Sequence, residues 1–328
     1  MTSSTVAVNP GSSCAFMTTH ADLPCGHAQT QAEENNCRIF ERGGSPFRPA
    51  SFQLQLHAMS PLLTTPPVAL SIAGSDCSAG AGLQADLKTF SALRVYGLTA
   101  VTCVVAEVPG RVTRVQAIEQ DIVEEQIRLL LGAFPVTAIK TGMLWSASTI
   151  RLIARILDSL PRTRRPWLIV DPVMVATSGD SLIEEDAVTA YREALFPQAD
   201  LITPNMDEAA TLLGQAISRE EDLAGAAHTL MKTLGAPVLL KGGHLRGETA
   251  LDVFQPLEGP AQLFSGPYFH GVSTHGTGCT MSAAIAASLA QGQTMPEAIS
   301  SAKTFVSNAI RTLCRWNGVD ALNHNGLT

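Results

Sequence analysis

The chain is predicted to be an α/β protein whose mostly parallel sheet is covered by helices on both faces, and three observations carry that prediction. From Pro67 onward, short apolar runs alternate with longer amphipathic stretches, the pattern of strand–helix units whose strands are buried on both sides. Hydrophobic residues make up 45% of the 328, enough to fill a sizeable core. The residues that could carry chemistry sit just after the apolar runs, where ligands gather in such folds.

Taken in order, the predicted strands are Val68 to Ala73, Leu98 to Ala106, Val136 to Lys140, Trp167 to Asp171, Leu201 to Thr203 and Val238 to Lys241. Each is short and apolar, and turn-forming or small polar residues bound most of them. Apolar positions at helical spacing predict helices over Gly82 to Leu93, Asp121 to Gly132, Ala147 to Leu160, Glu184 to Leu195, Met206 to Leu213 and Glu220 to Leu234. Two more follow at Thr277 to Ala290 and Pro296 to Leu313. With no internal repeat or interior linker in view, residues 67–328 read as one domain.

Residues 1–66 differ from the rest. They are rich in Ser, Thr, Pro, Asn and Gln, lack apolar periodicity, and hold four acids against three arginines. Such a segment buries too little surface to offset its ordering entropy, so disorder is expected. Organellar targeting stays open, although the first 20 residues contain no Arg. A start at Met59 would remove most of the segment.

A net charge of -7 offers no attraction to nucleic acid or anionic lipid. No run approaches the roughly 20 apolar residues of a membrane span, and neither partner is expected. Seven cysteines without C-x-x-C spacing suggest reduced thiols and a cytoplasmic protein.

His275-Gly276-Thr277-Gly278-Cys279 leads into an alanine-rich run that reads as a closely packed helix. Amides in the first turn of such a helix have no internal partners and lie at the positive end of its dipole. Together with glycines that admit a ligand to the backbone, they form an anion site suited to phosphoryl transfer. Cys279 falls in that turn, where dipole and amides are expected to favour thiolate, and a thiolate could act as base. A cysteine that merely packs against the helix is the alternative. A second cluster, Ala73-Gly74-Ser75-Asp76 with Gly80-Ala81-Gly82, ends the first strand. Its small residues make room for a flat ring, and Asp76 either caps the turn or binds a polar group. No G-x-x-x-x-G-K-[ST] sequence occurs, which excludes a P-loop.

Taken together with Lys140-Thr141-Gly142-Met143-Leu144, Asp171-Pro172-Val173-Met174-Val175, Thr203-Pro204-Asn205-Met206-Asp207-Glu208-Ala209 and Lys241-Gly242-Gly243-His244, these segments resemble the hydroxymethylpyrimidine and phosphomethylpyrimidine kinases of thiamine biosynthesis. That family lies within the ribokinase-like superfamily, and the resemblance runs from about residue 67 to 315. It implies a three-layer α/β/α sandwich, ATP and Mg²⁺ as cofactors, a small-molecule substrate and a homodimer. By the same resemblance, Gly74, Ala81, Met143 and Val173 line an aminopyrimidine pocket, and Cys279 is the base. The amides of Gly276, Thr277 and Gly278 make the anion hole. Lys241, Asn205, Thr177 and Thr274 lie near the nucleotide phosphates, and Glu208 organises Mg²⁺, usually through water.

Two departures stand out. Glu107 occupies the place of a Gln that pairs with the pyrimidine in relatives, and a carboxylate has acceptors only. Facing a neutral ring it would clash by several kcal/mol, so either the ring is protonated, or the substrate differs, or Glu107 points away. Thr177 stands where many relatives carry a lysine. The rival readings are a pyridoxal-type vitamin kinase and a non-catalytic ligand-binding regulator that keeps the fold.

Overall fold

The computed structural model describes residues 65–161, 163, 165–174, 186–243, 249–272 and 275–325. The expected disorder over 1–66 falls almost wholly outside them, as do Thr177 and Thr274. The first apolar run forms β1 (Val68–Asp76) inside a sheet that continues through β2 (Tyr96–Val108), β3 (Arg111–Ala117), β4 (Val136–Thr141) and β5 (Trp167–Val170). On the far side stand β6 (Leu201–Ile202), β7 (Val238–Lys241), β8 (Thr249–Gln255) and β9 (Gln262–Pro267). The order is β3-β2-β1-β4-β5-β6-β7-β8-β9. Strands β2, β1, β4, β5, β6 and β7 run parallel, while β3, β8 and β9 add antiparallel edges.

Helices cover both faces. Alternation along β1 sends Leu70 and Ile72 into a core with Val123 and Ile127 of α2 (Gln120–Ala133) and the apolar stripe of α3 (Ala147–Asp158). The helices α4 (Ala187–Ala190, continued by a π turn through Leu195), α5 (Met206–Leu213) and α6 (Leu223–Leu234) join that layer. Ala69 points the other way, into a core with α1 (Gly82–Ala92), α7 (Thr277–Ala290) and α8 (Met295–Arg311). The alanines of α7 let its axis approach the sheet closely, and Ala283, Ala284, Ala286 and Ala287 are completely buried. A small hairpin, β10 (Cys314–Trp316) with β11 (Val319–Ala321), follows α8. The three-layer α/β/α sandwich is therefore as expected. No helix among the described residues is long and apolar enough to cross a membrane.

The predicted helices form within a few residues of their expected ends, and Met206–Leu213 and Thr277–Ala290 match at both. Strands β3, β8 and β9 were not expected. Their sequences are broken by outward-facing or charged residues such as Arg114, Asp252 and Ser265, so they lack the continuous apolar run that marks a strand buried on both faces.

Candidate active site

The carboxyl ends of the parallel strands and the start of α7 enclose one cavity of about 600 Å³. At one end lies the phosphate-type cradle. Gly276 precedes α7 with φ +83°, and a Cβ there would lie 1.8 Å from the carbonyl oxygen of Gly80. Only glycine permits both the left-handed backbone and that contact. A Cβ on Gly278 would meet the Lys241 ammonium at 3.2 Å. Gly276, Thr277, Gly278 and Cys279 all face the cavity, with the first-turn amides of α7 among them.

Beside the cradle, Lys241 donates to Asp171 at 2.9 Å, and Asp171 also accepts from Thr203 at 3.0 Å and Ser282 at 3.1 Å. Burial opposes charge on Asp171, but Lys241 and Lys140 outweigh it and hold the carboxyl below the usual range. Lys241 correspondingly stays protonated: Asp171 and Glu208 outweigh its burial. Asn205 and Glu208 form a reciprocal capping box at the start of α5: the Glu208 amide donates to the Asn205 side chain at 2.9 Å, and the Asn205 amide donates to the Glu208 carboxyl at 2.8 Å. Both also line the cavity. Burial pushes the Glu208 carboxyl up to about 8 against the pull of Lys241.

For Cys279 the structure corrects the expected thiolate. Burial, the largest influence, pushes the thiol up to about 11. Lys140 and the Gly82 amide favour the thiolate, but Asp86 and Asp171 add to the burial, so in this state the sulfur keeps its proton at neutral pH. A position at a helix start does not by itself lower a pKa when burial of the group, reinforced by nearby carboxylates, opposes the dipole. The sequence also gave no role to the pair beneath it. Lys140 and Asp86 are both fully buried and joined at 2.9 Å, and Ser71 donates to Asp86 at 2.5 Å. A lysine at the end of an apolar strand, and an aspartate on the otherwise buried face of α1, were the signals that could have drawn attention to them.

The other end of the cavity is a narrow slot. A Cβ on Gly74 would meet Cys103 Sγ at 2.8 Å and Met143 at 3.6 Å. Gly74, Ala81, Met143 and Val173 line this end together, a shape and polarity suited to a flat heteroaromatic ring. Asp76 is a turn cap as well as a cavity residue. Its carboxylate accepts from Ser78 N at 2.7 Å, Ser78 Oγ at 3.0 Å, Gly80 N at 3.1 Å and Ala81 N at 2.8 Å, with His275 Nε2 at 3.3 Å. Burial works against its charge, yet these donors, His275 foremost, hold it at about 2.

Glu107 faces the cavity. A register shift between Ala106 and Glu107 in the β2–β3 ladder interrupts the alternation there. Asp76, Glu107 and His275 bring one side-chain atom each within 4.8 Å of one another. Burial first, then the charge of Asp76, raise the Glu107 carboxyl, while His275 opposes them. A third stretch of the cavity, lined by Asp252, Tyr268 and Lys303, was missed because it belongs to the unexpected edge strands and to α8. Lys303 and Asp252 are paired there at 2.6 Å.

Residues 76–323 match the model of the phosphomethylpyrimidine kinase family. Among curated relatives, the hydroxymethylpyrimidine/phosphomethylpyrimidine kinase of Rhizobium meliloti is 46% identical over 244 residues, 74% of this chain and 90% of its own length. The thiamine biosynthesis bifunctional protein ThiED of Geobacter sulfurreducens is 43% identical over 74% of this chain, which spans 49% of that longer protein. Among solved structures, an ADP complex of Bacillus subtilis pyridoxal kinase is 37% identical with a TM-score of 0.72, covering 80% of this chain and 99% of its own.

Proposed function

The chain belongs to the phosphomethylpyrimidine kinase family, and from that premise we propose that it uses ATP to phosphorylate 4-amino-5-hydroxymethyl-2-methylpyrimidine and then its monophosphate, in thiamine biosynthesis. The observation that carries the reading is the shared cavity: a slot for a flat ring opens directly onto the glycine cradle before α7. In the first step the substrate hydroxyl oxygen bonds to the γ-phosphorus of ATP, the bond from that phosphorus to the β-bridging oxygen breaks, and ADP leaves. Gly276 to Gly278 amides meet the charge on the moving group, and Lys241 adds a fixed positive charge beside it. The Cys279 thiol first gives up its own proton to bulk solvent, and the thiolate sulfur then takes the hydroxyl proton. Lys140 and the Gly82 amide favour that ionisation.

Magnesium suits the donors at this end, since Glu208 and Asp171 offer hard carboxylate oxygens on the same cavity wall. When bound, the ion would neutralise phosphate charge. Glu208 keeps a proton below about pH 8, and a cation competes with that proton. Activation by Mg²⁺ is therefore expected to need less metal as pH rises through about 8 and to level off above it, with Glu208→Gln removing the pH dependence. Titration of rate against Mg²⁺ at several pH values checks this.

Cys279→Ser is expected to cut turnover by about 10²- to 10⁴-fold, the usual worth of a general base, whereas Cys77→Ser, at an exposed site away from the cradle, is expected to have a mild effect. Alkylation of Cys279 is expected to be slow at neutral pH and to accelerate toward about 11. Equal, mild effects of the two serines on turnover would remove Cys279 as base. The function itself is tested by ATP consumption with product mass analysis on the hydroxymethylpyrimidine, its monophosphate and pyridoxal. A pyridoxal kinase is the second reading, favoured by the likeness to the pyridoxal kinase structure. No consumption with any of the three would favour the binding-protein alternative. A cytoplasmic homodimer belongs to the same proposal. The outward face of β2, where Val104 and Val108 are 45% and 46% exposed, is a surface it could bury.

A further inference from the structure

We propose that Glu107 reads the substrate ring as a neutral carboxylic acid, its O–H donating to a ring nitrogen and its carbonyl accepting from the adjacent amino group. The proposal rests on the aminopyrimidine reading above and changes where the proton sits. Asp76 and Glu107 present carboxyl oxygens within 4.8 Å of each other, so ionising both is costly. Asp76 takes the local donors, with four hydrogen bonds from Ser78, Gly80 and Ala81 and the His275 contact. Among the described residues none donates to the Glu107 carboxyl; outside the β2–β3 ladder, its hydrogen bonds are those of its backbone with the Cys77 thiol, at 3.2 and 3.4 Å. Asp76 is thus the acid that ionises first, and its charge together with burial raises the Glu107 carboxyl, which favours the protonated form there.

The titratable groups facing Glu107 are Asp76 from β1, Cys77 from the following turn, Cys103 on β2 itself and His275 from the loop before α7, and Arg111 of β3 lines the same cavity. Asp76 favours the neutral acid, and His275 favours the carboxylate without prevailing over burial and Asp76. A neutral carboxyl carries one donor and one acceptor, the same pair as a carboxamide. It therefore meets an unprotonated aminopyrimidine edge without opposing a lone pair to an oxygen. The departure at Glu107 is then compatible with the substrate of the family, provided the pH stays below the midpoint of this carboxyl.

A carboxylate facing a protonated ring holds the same number of protons in the complex, so the deciding measurement is made on the free protein. Full-length protein with ¹³C-carboxyl-labelled glutamate is titrated by NMR, wild type against Glu107→Gln. The resonance missing from the variant is expected to titrate above the ordinary glutamate value of about 4.3. In parallel, equilibrium binding of the hydroxymethylpyrimidine and kcat/KM with ATP are followed against pH. Binding is expected to fall about tenfold per pH unit above that midpoint in wild type and to stay level in Glu107→Gln, and the ratio of kcat/KM, wild type to variant, is expected to fall by the same factor. A midpoint at or below about 4.3, or parallel profiles in the two proteins, overturns the proposal. Pyrimidine binding that follows the expected profiles without turnover would fell the kinase reading and keep the recognition by Glu107. Absence of binding in both proteins overturns the recognition.

Discussion

Gly276→Ala is expected to abolish most turnover while the protein still folds. The added Cβ would lie 1.8 Å from the Gly80 carbonyl oxygen, so the loop before α7 must move away from the turn after β1. The left-handed backbone costs about 1–2 kcal/mol on its own. Displacing the cradle removes amide donors from the moving phosphoryl group, each worth about 10²- to 10³-fold in rate. Gly292 provides the control. It has φ +88° but nothing within 4 Å of its added Cβ. Gly292→Ala should therefore lower the melting temperature and leave kcat unchanged, and a comparable loss of kcat in both variants would refute the cradle.

Lys140→Met is expected to have the largest effect on stability. It leaves Asp86 buried at 0% exposure with Ser71 as its remaining hydrogen-bond donor, and breaking a buried pair from one side costs about 3–5 kcal/mol. The double change Lys140→Met with Asp86→Leu removes both charges and is expected to recover most of that loss in denaturant unfolding. It should not recover turnover. The positive charge that favours ionisation of Cys279 is gone and the simultaneous loss of Asp86 offsets this only in part, so the thiol should still alkylate more slowly than in wild type, and most slowly in the single Lys140→Met variant. Full recovery of activity in the double variant would make the pair purely structural.

The parallel part of the sheet and the helices around it were legible because each strand buried on both faces is a short apolar run, and α7 announced itself through Thr280 to Ala287. The edge strands were not. Arg111–Ala117 and Gln262–Pro267 are largely solvent-facing, and their pairing is decided by neighbours distant in sequence. For the site, the small residues Gly74, Ala81 and Gly276 to Gly278 were found because close backbone approach restricts residue type. The protonation of Cys279 was misjudged because a helix start is visible locally, whereas the burial of the sulfur, and after it the charges of Asp86 and Asp171, are set by segments far away along the chain. Lys140 was quoted within a motif but given no role for the same reason: what distinguishes it is a partner 54 residues away.

His275 meets Asp76 across 199 residues of sequence, and Gly276 meets Gly80 in the same seam. Closing so long a loop is repaid only when the intervening strands have already stacked. The seam is thus among the last contacts a newly made chain can form. A kinase built this way withholds phosphoryl transfer from its own half-folded forms, because the cradle and the ring slot meet only when the sheet between them is complete.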